Sequence, residues 1–506
     1  MRMDNFKINI GSPHGTEKGR SFPHKFKQHI SKIATRPLAE FLVLAIAGAL
    51  IAFLTARSGI SGGLLVLIPT IAIILVYAII VFPKFGVIFL LLAAYIIMWI
   101  AGMLSVDFPF GTLMDGLEFL LIIGFFIKQK RHSNWQLFKE PVGIIILIWV
   151  AYNVLEFANP TAESRLAWVY TIRSVAVVML MYFIFGYHID STKFIRTIFK
   201  LWLGLACFAA LYAYKQEYIG FFPYEERILS DPRVHALYFI NGHWRKTSIF
   251  SDPVAFAYNM VMPCIFCITM LLGPLQKWKK IVLGGLALFF FQAMLFSGTR
   301  GAYVLVPVAL VLLSILMFNR RVLLFGIMGA LFFAFLVYVP TSNPNIRRFQ
   351  TAFRPSDDAS FNVRKENQKR IQPFIQTHPF GGGLGATGVW GARFSPHSFL
   401  ARFPPDSGYV RVAVELGSIG LLLICTLMFI IITIGIINFY RIKDPELKIY
   451  CLAMTLIIFA YAVGNYPQEA IVQFPSNIYF YLFAALITVT YQLDRKKQNK
   501  SDEEKT

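Results

Sequence analysis

Arg173 stands about two turns inside a hydrophobic run, in LAWVYTIRSVAVVML. A guanidinium at that depth is costly unless a wet cavity or a partner receives it, or unless it snorkels to the headgroups. Arg245, in WRKTSIFSDPVAF, precedes Asp252, which has the place of an N-cap before a helix opened by Pro253. Arg300 opens another run in FSGTRGAYVLV, where Ser297, Gly298 and Gly301 permit a sharp turn and close backbone approach; an interfacial anchor looks the same. Asp406 and Tyr409 come just before the run in DSGYVRVAVELGSIGLLL, with Glu415 at its near end. A carboxylate placed there among arginines can accept a proton, hold a hydroxyl, or cap the helix that follows. Asp115 and Glu118 open a further run at helical spacing, as caps or as site residues.

Asp406 and Tyr409 close one polar stretch, residues 341 to 411, with ten Lys and Arg against four acids. That balance suits an anionic ligand. Within it, Ser360 can cap a helix from Phe361 to about Gln376 that lines up Arg364, Gln368, Ile371 and Ile375. One end of that face is cationic and the other apolar, as in a helix lying at a membrane interface or on a protein surface. The segment HPFGGGLGATG follows, with Gly383 and Gly385 in a formal G-x-G-x-x-G. No strand precedes it, so a dinucleotide site is not implied; it reads as a flexible turn or as backbone whose amides approach phosphate or sugar.

The elements that must position these residues are membrane spans. The chain is 57% hydrophobic and 15% charged, with a mean hydropathy of +0.60. This is the composition of an all-α polytopic membrane protein, and runs of about 17–25 apolar residues give about fourteen transmembrane helices. They lie near 38–56, 63–82, 86–104, 112–127, 141–157, 166–187, 194–214, 252–273, 281–298, 301–318, 322–340, 412–439, 447–465 and 474–491.

The net charge of +21 falls largely in alternate short connections, such as Lys128 to Lys139 and Lys277 to Lys280. That is the positive-inside pattern and excludes a nucleic-acid role. It predicts cytoplasmic termini and places 341–411 on the other side. The expected organisation is a basic, mostly disordered cytoplasmic tail over 1–37 and a bundle over 38–340 with an outer segment near 216–251. An extracytoplasmic catalytic loop over 341–411, helices over 412–491 and a cytoplasmic tail over 492–506 complete it. All five cysteines lie in apolar runs, so neither a disulfide framework nor a metal site is indicated. The first apolar run follows a basic tail with no cleavage site and reads as an anchor.

In this order, RKTSIFSDPVAFA, FSGTRGAYV, NVRKENQKRIQPFIQTHPFGGGLGATG and DSGYVRVAVELGSIGLL resemble the O-antigen ligase and polysaccharide polymerase superfamily. The resemblance covers about Arg245 to Leu423. It implies a GT-C-like, metal-independent and cofactor-free glycosyltransferase of the bacterial inner membrane, working on an undecaprenyl-diphosphate-linked oligosaccharide, alongside a flippase and a chain-length regulator. Carried onto this chain, it assigns Arg173, Arg245 and Arg300 to the diphosphate and Arg364 to headgroup or glycan. Asp406 would accept or orient the attacking hydroxyl, with Gly383, Gly385 and Tyr409 at the substrate. Ligases carry His in H-N-x-Y-L where this chain has Asp406, which implies a polymerase ahead of a ligase. A flippase of lipid-linked oligosaccharide is the reading from another class.

Overall fold

The computed structural model describes residues 24–104, 110–131, 133–240, 242–318, 320–342, 344–351, 353 and 359–503. Tail residues 1–23, with Arg354, Asp357 and Asp358 of the polar stretch, lie outside them. The chain divides into two compact units, Met1–Tyr77 and Ala78–Thr506. In the first, one continuous helix, His24–Val81, replaces the two expected spans and takes in residues 24–37 of the expected tail. Gly59, Gly62 and Gly63, between the two expected spans, lower helix propensity but keep their own backbone donors, so they do not force a break there.

The second unit holds the rest. Nine helices among the described residues are long and apolar enough to cross a membrane, and shorter apolar helices accompany them. The chain is thus a multi-pass all-α membrane protein. Its innermost helices are Pro253–Met270, Pro445–Gly464 and Ser476–Glu503, which bury residues on all sides. A helix apolar all round belongs in such a place. Outer helices leave large apolar side chains exposed, among them Ile144, Leu211, Leu288 and Phe429, as lipid-facing surfaces do.

Three expected spans are interrupted. The run 166–187 is divided into Arg165–Val175, a 3-10 turn at Val177–Leu180, and Met181–His188. Trp149 Nε1 donates to the carbonyl of Val175 at 3.1 Å, satisfying one group that the break releases. The run 301–318 begins as Arg300–Tyr303 and resumes as Leu305–Leu316. The run 412–439 is cut into Gly408–Glu415 and Gly417–Arg441, because Gly417 adopts a φ of +67° directly after the cap residue Leu416. Glu415 therefore ends a short helix before the span.

The polar stretch folds over this end of the bundle. Its amphipathic helix is Ala359–Thr377, within which Ile371 packs with Leu400, Phe403 and Val414, flanked by Phe374 and Ile375. The segment near 216–251 forms helices Pro223–Leu229 and Pro232–Tyr238 and a hairpin pairing Phe239–Ile240 with His243–Trp244.

Candidate active site

The glycine-rich segment is a docking device for one carboxylate. Gly381, Gly383 and Gly385 have φ of +73°, +95° and +81°, which turns their amides inward. Gly382 N donates to Val414 O at 2.8 Å and Gly383 N to Glu415 O at 2.9 Å. The Glu415 side chain then accepts from Gly385 N at 3.1 Å, from Thr387 N at 3.2 Å and from the Thr387 hydroxyl. A Cβ on Gly385 would lie 2.4 Å from Thr171 Oγ1, so only glycine lets the segment sit this close to helix Arg165–Val175. Gly383 and Gly385 were expected to offer amides to phosphate or sugar. Their amides are spent on Glu415 instead, that of Gly383 on its backbone carbonyl and that of Gly385 on its buried carboxylate, which needs several donors.

Helix Gly408–Glu415 carries Arg411 one turn before Glu415, at the edge of a cavity of about 450 Å³. Arg411 Nε meets Glu415 Oε1 at 3.1 Å and its Nη1 donates to Glu469. Burial works against the Arg411 charge, yet the two carboxylates outweigh it and hold its pKa above the ordinary arginine value. Burial also pushes the Glu469 carboxyl above the usual carboxylate range; Arg411 pulls it back, while Glu415 and Asp406 push it up. Charged walls come from Asp252, Asp406, Glu469 and Arg411, with Gln468, Gln473 and Trp390 between them.

Asp406 lines this cavity and accepts from Asn367 Nδ2 at 3.4 Å. The cap of the following helix is Ser407, whose side chain accepts from Val410 N, which leaves the Asp406 carboxylate to face the cavity. Asp252 is the expected N-cap, taking Val254 N at 2.8 Å and Ala255 N at 2.9 Å, and Gln473 Nε2 binds its carboxylate from the other side.

None of the four arginines singled out by sequence lines the cavity wall; each is held elsewhere. Arg173 is ion-paired with Asp115, so its intramembrane charge has a partner, and its neighbours Thr171 and Ser174 reach the cavity wall. Arg245 donates to Ser297 O at 2.9 Å and Thr299 Oγ1 at 3.0 Å, which fixes the turn that launches Arg300. A Cβ on Gly301, next to Arg300, would lie 3.1 Å from the Pro467 ring, directly before Gln468 and Glu469. Arg364 interacts electrostatically with the Tyr258 phenol, and Asn367, one turn on, reaches Asp406. Tyr409 turns away and donates to Ala462 O at 2.7 Å.

Residues 284–425 match the profile of the O-antigen ligase family. The chain carries an O-antigen ligase domain. The match supports the superfamily of O-antigen ligases and polysaccharide polymerases, whose members are glycan-transferring enzymes. The matched stretch of this O-antigen ligase-like chain contains Arg300, Arg364, Asp406 and Arg411; Arg173, Arg245 and Glu469 lie outside it. No curated protein matches the sequence. The positive-inside pattern draws no attention to Glu469, Gln468 and Gln473, whose loop NYPQEAIVQFPSN carries no Lys or Arg. The signal was there: planar amide and carboxylate side chains packed into a short loop between two apolar runs.

Proposed function

We propose that this protein is a surface polysaccharide polymerase, of O-antigen or exopolysaccharide, transferring glycan from undecaprenyl diphosphate to an acceptor sugar on the outer face of the membrane. The observation that carries this reading is the meeting of Asp406 and Glu469 at one cavity, beside the charge of Arg411. An acceptor hydroxyl attacks the anomeric carbon, its proton passes to a carboxylate, and the carbon–oxygen bond to the diphosphate breaks with the electron pair leaving on the lipid diphosphate. Glu469 suits the base, since burial raises its affinity for the proton, and Asp406 suits orienting the hydroxyl.

Charge grows on the leaving oxygens, so fixed guanidinium groups lower the barrier. Arg300, whose neighbour Gly301 packs on Pro467, and Arg364, whose charge reaches Tyr258, are assigned that task; Arg245 braces the turn before Arg300. Asp406 in place of the ligases' His favours polymerisation over ligation. The test is the product made by purified protein in proteoliposomes given lipid-linked repeat units. A ladder of repeat lengths supports the proposal. A single modified acceptor indicates a ligase, and lipid movement without bond formation indicates a transporter; either overturns it.

A further inference from the structure

Helix Gly388–Phe394 presents Trp390 to the cavity wall, with the Arg393 guanidinium 6.0 Å from the indole centroid. Tyr170 stacks on the indole with centroids 4.6 Å apart at 27°, and on Phe394 at 5.3 Å and 27°. Trp390 and Phe394 are themselves within 14° of parallel at 6.0 Å. A single Tyr170 ring covers one face of the indole. The result is an aromatic slab at a cavity whose polar wall groups include the carboxylates of Asp252, Asp406 and Glu469, the amides of Gln468 and Gln473, and Arg411, with valines between them.

Two ordinary roles fit poorly. A core tryptophan would be fully enclosed, whereas Trp390 is half-buried and Val389 beside it is 76% exposed. An interfacial anchor would lie against lipid, whereas this indole shares a cavity with Asp406, Glu469 and Gln468. A pyranose ring has the matching chemistry. Its C–H face is apolar and faintly positive, suited to the negative face of an indole. Its rim of hydroxyls needs planar groups that accept and donate in pairs, as Asp, Glu and Gln do. The cavity volume of about 450 Å³ lies in the range of small-ligand sites.

We propose that Trp390, backed by Tyr170 and Phe394, is the stacking platform for the terminal sugar ring of the acceptor glycan. Its assignment to the acceptor rests on the polymerase reading; the sugar-binding itself does not. The platform sets the ring beside Asp406 and Glu469, so that a rim hydroxyl faces the carboxylates.

The probe is repeat-unit oligosaccharide released by mild acid from the carrier lipid of the cells that make this protein. Its binding to detergent-purified full-length protein is followed by saturation-transfer NMR. Trp390→Leu keeps apolar volume and removes the π face; it should weaken binding about tenfold, while Trp390→Phe should restore most of it. Binding by Trp390→Leu within about twofold of wild type, or no binding by wild type, overturns the platform. Sugar binding that depends on Trp390, in a protein that forms no glycosidic bond, would contradict the polymerase reading and uphold the platform.

Discussion

Glu469 and Asp406 differ in what surrounds them, and the difference assigns their roles. Glu469 is half-buried, held by Arg411, and pushed toward its protonated form; Asp406 is more open and tied to Asn367. A base works only when deprotonated, so activity should fall as pH drops through the raised Glu469 pKa. The acid limb of kcat should therefore lie above the range of an unperturbed carboxylate, with a slope of about tenfold per pH unit. Glu469→Gln should remove that limb and lower kcat by about 10²–10⁴-fold, and Glu469→Asp should retain the limb. The measurement is chain growth against pH; an unchanged limb in Glu469→Gln would give the base role to another group. None of this was visible in sequence, because Glu469 gains its character from Arg411, 58 residues away in the chain.

Elements decide whether these residues meet at all. The glycine-rich segment and the start of helix Gly417–Arg441 interlock so tightly that a Cβ on Gly417 would lie 1.9 Å from Pro379 O, at a φ of +67°. Gly388 has the same φ, yet its Cβ would approach only the end of Arg411 at 4.0 Å. Gly388→Ala should cost about 1–2 kcal/mol, the ordinary strain of a left-handed residue. Gly417→Ala should cost well over that, since backbone must move. Thermal unfolding in detergent would show the order, and equal midpoints would contradict the interlock. The long apolar helices were legible because lipid imposes length and hydropathy on every span. The breaks at Ala176 and Val304 were not, because apolar residues continue on both sides of each, and the break at Leu416 depends on the left-handed φ of Gly417, which sequence does not declare. Arg245 was legible as a residue but not as a brace, since its partners Ser297 and Thr299 belong to another helix end.

At the scale of the whole molecule, the bundle delivers four separate chain regions to one cavity: helix Arg165–Val175, the start of helix Pro253–Met270, the polar stretch with helix Gly408–Glu415, and the 465–473 loop. The membrane class and the importance of 341–411 could be read from hydropathy and charge alone. That the stretch closes over a loop between two late helices could not, for it depends on packing and on a carboxylate swallowed by glycine amides. The central claim is that glycan transfer takes place at this cavity through its paired carboxylates. The most direct measurement is the single-turnover rate of glycosidic bond formation on bound lipid-linked repeat units, in wild type and in a protein carrying both Asp406→Asn and Glu469→Gln. The account predicts that the doubly substituted protein still binds the lipid-linked substrate and forms bonds at least about a hundredfold more slowly. Bond formation at the wild-type rate would contradict it.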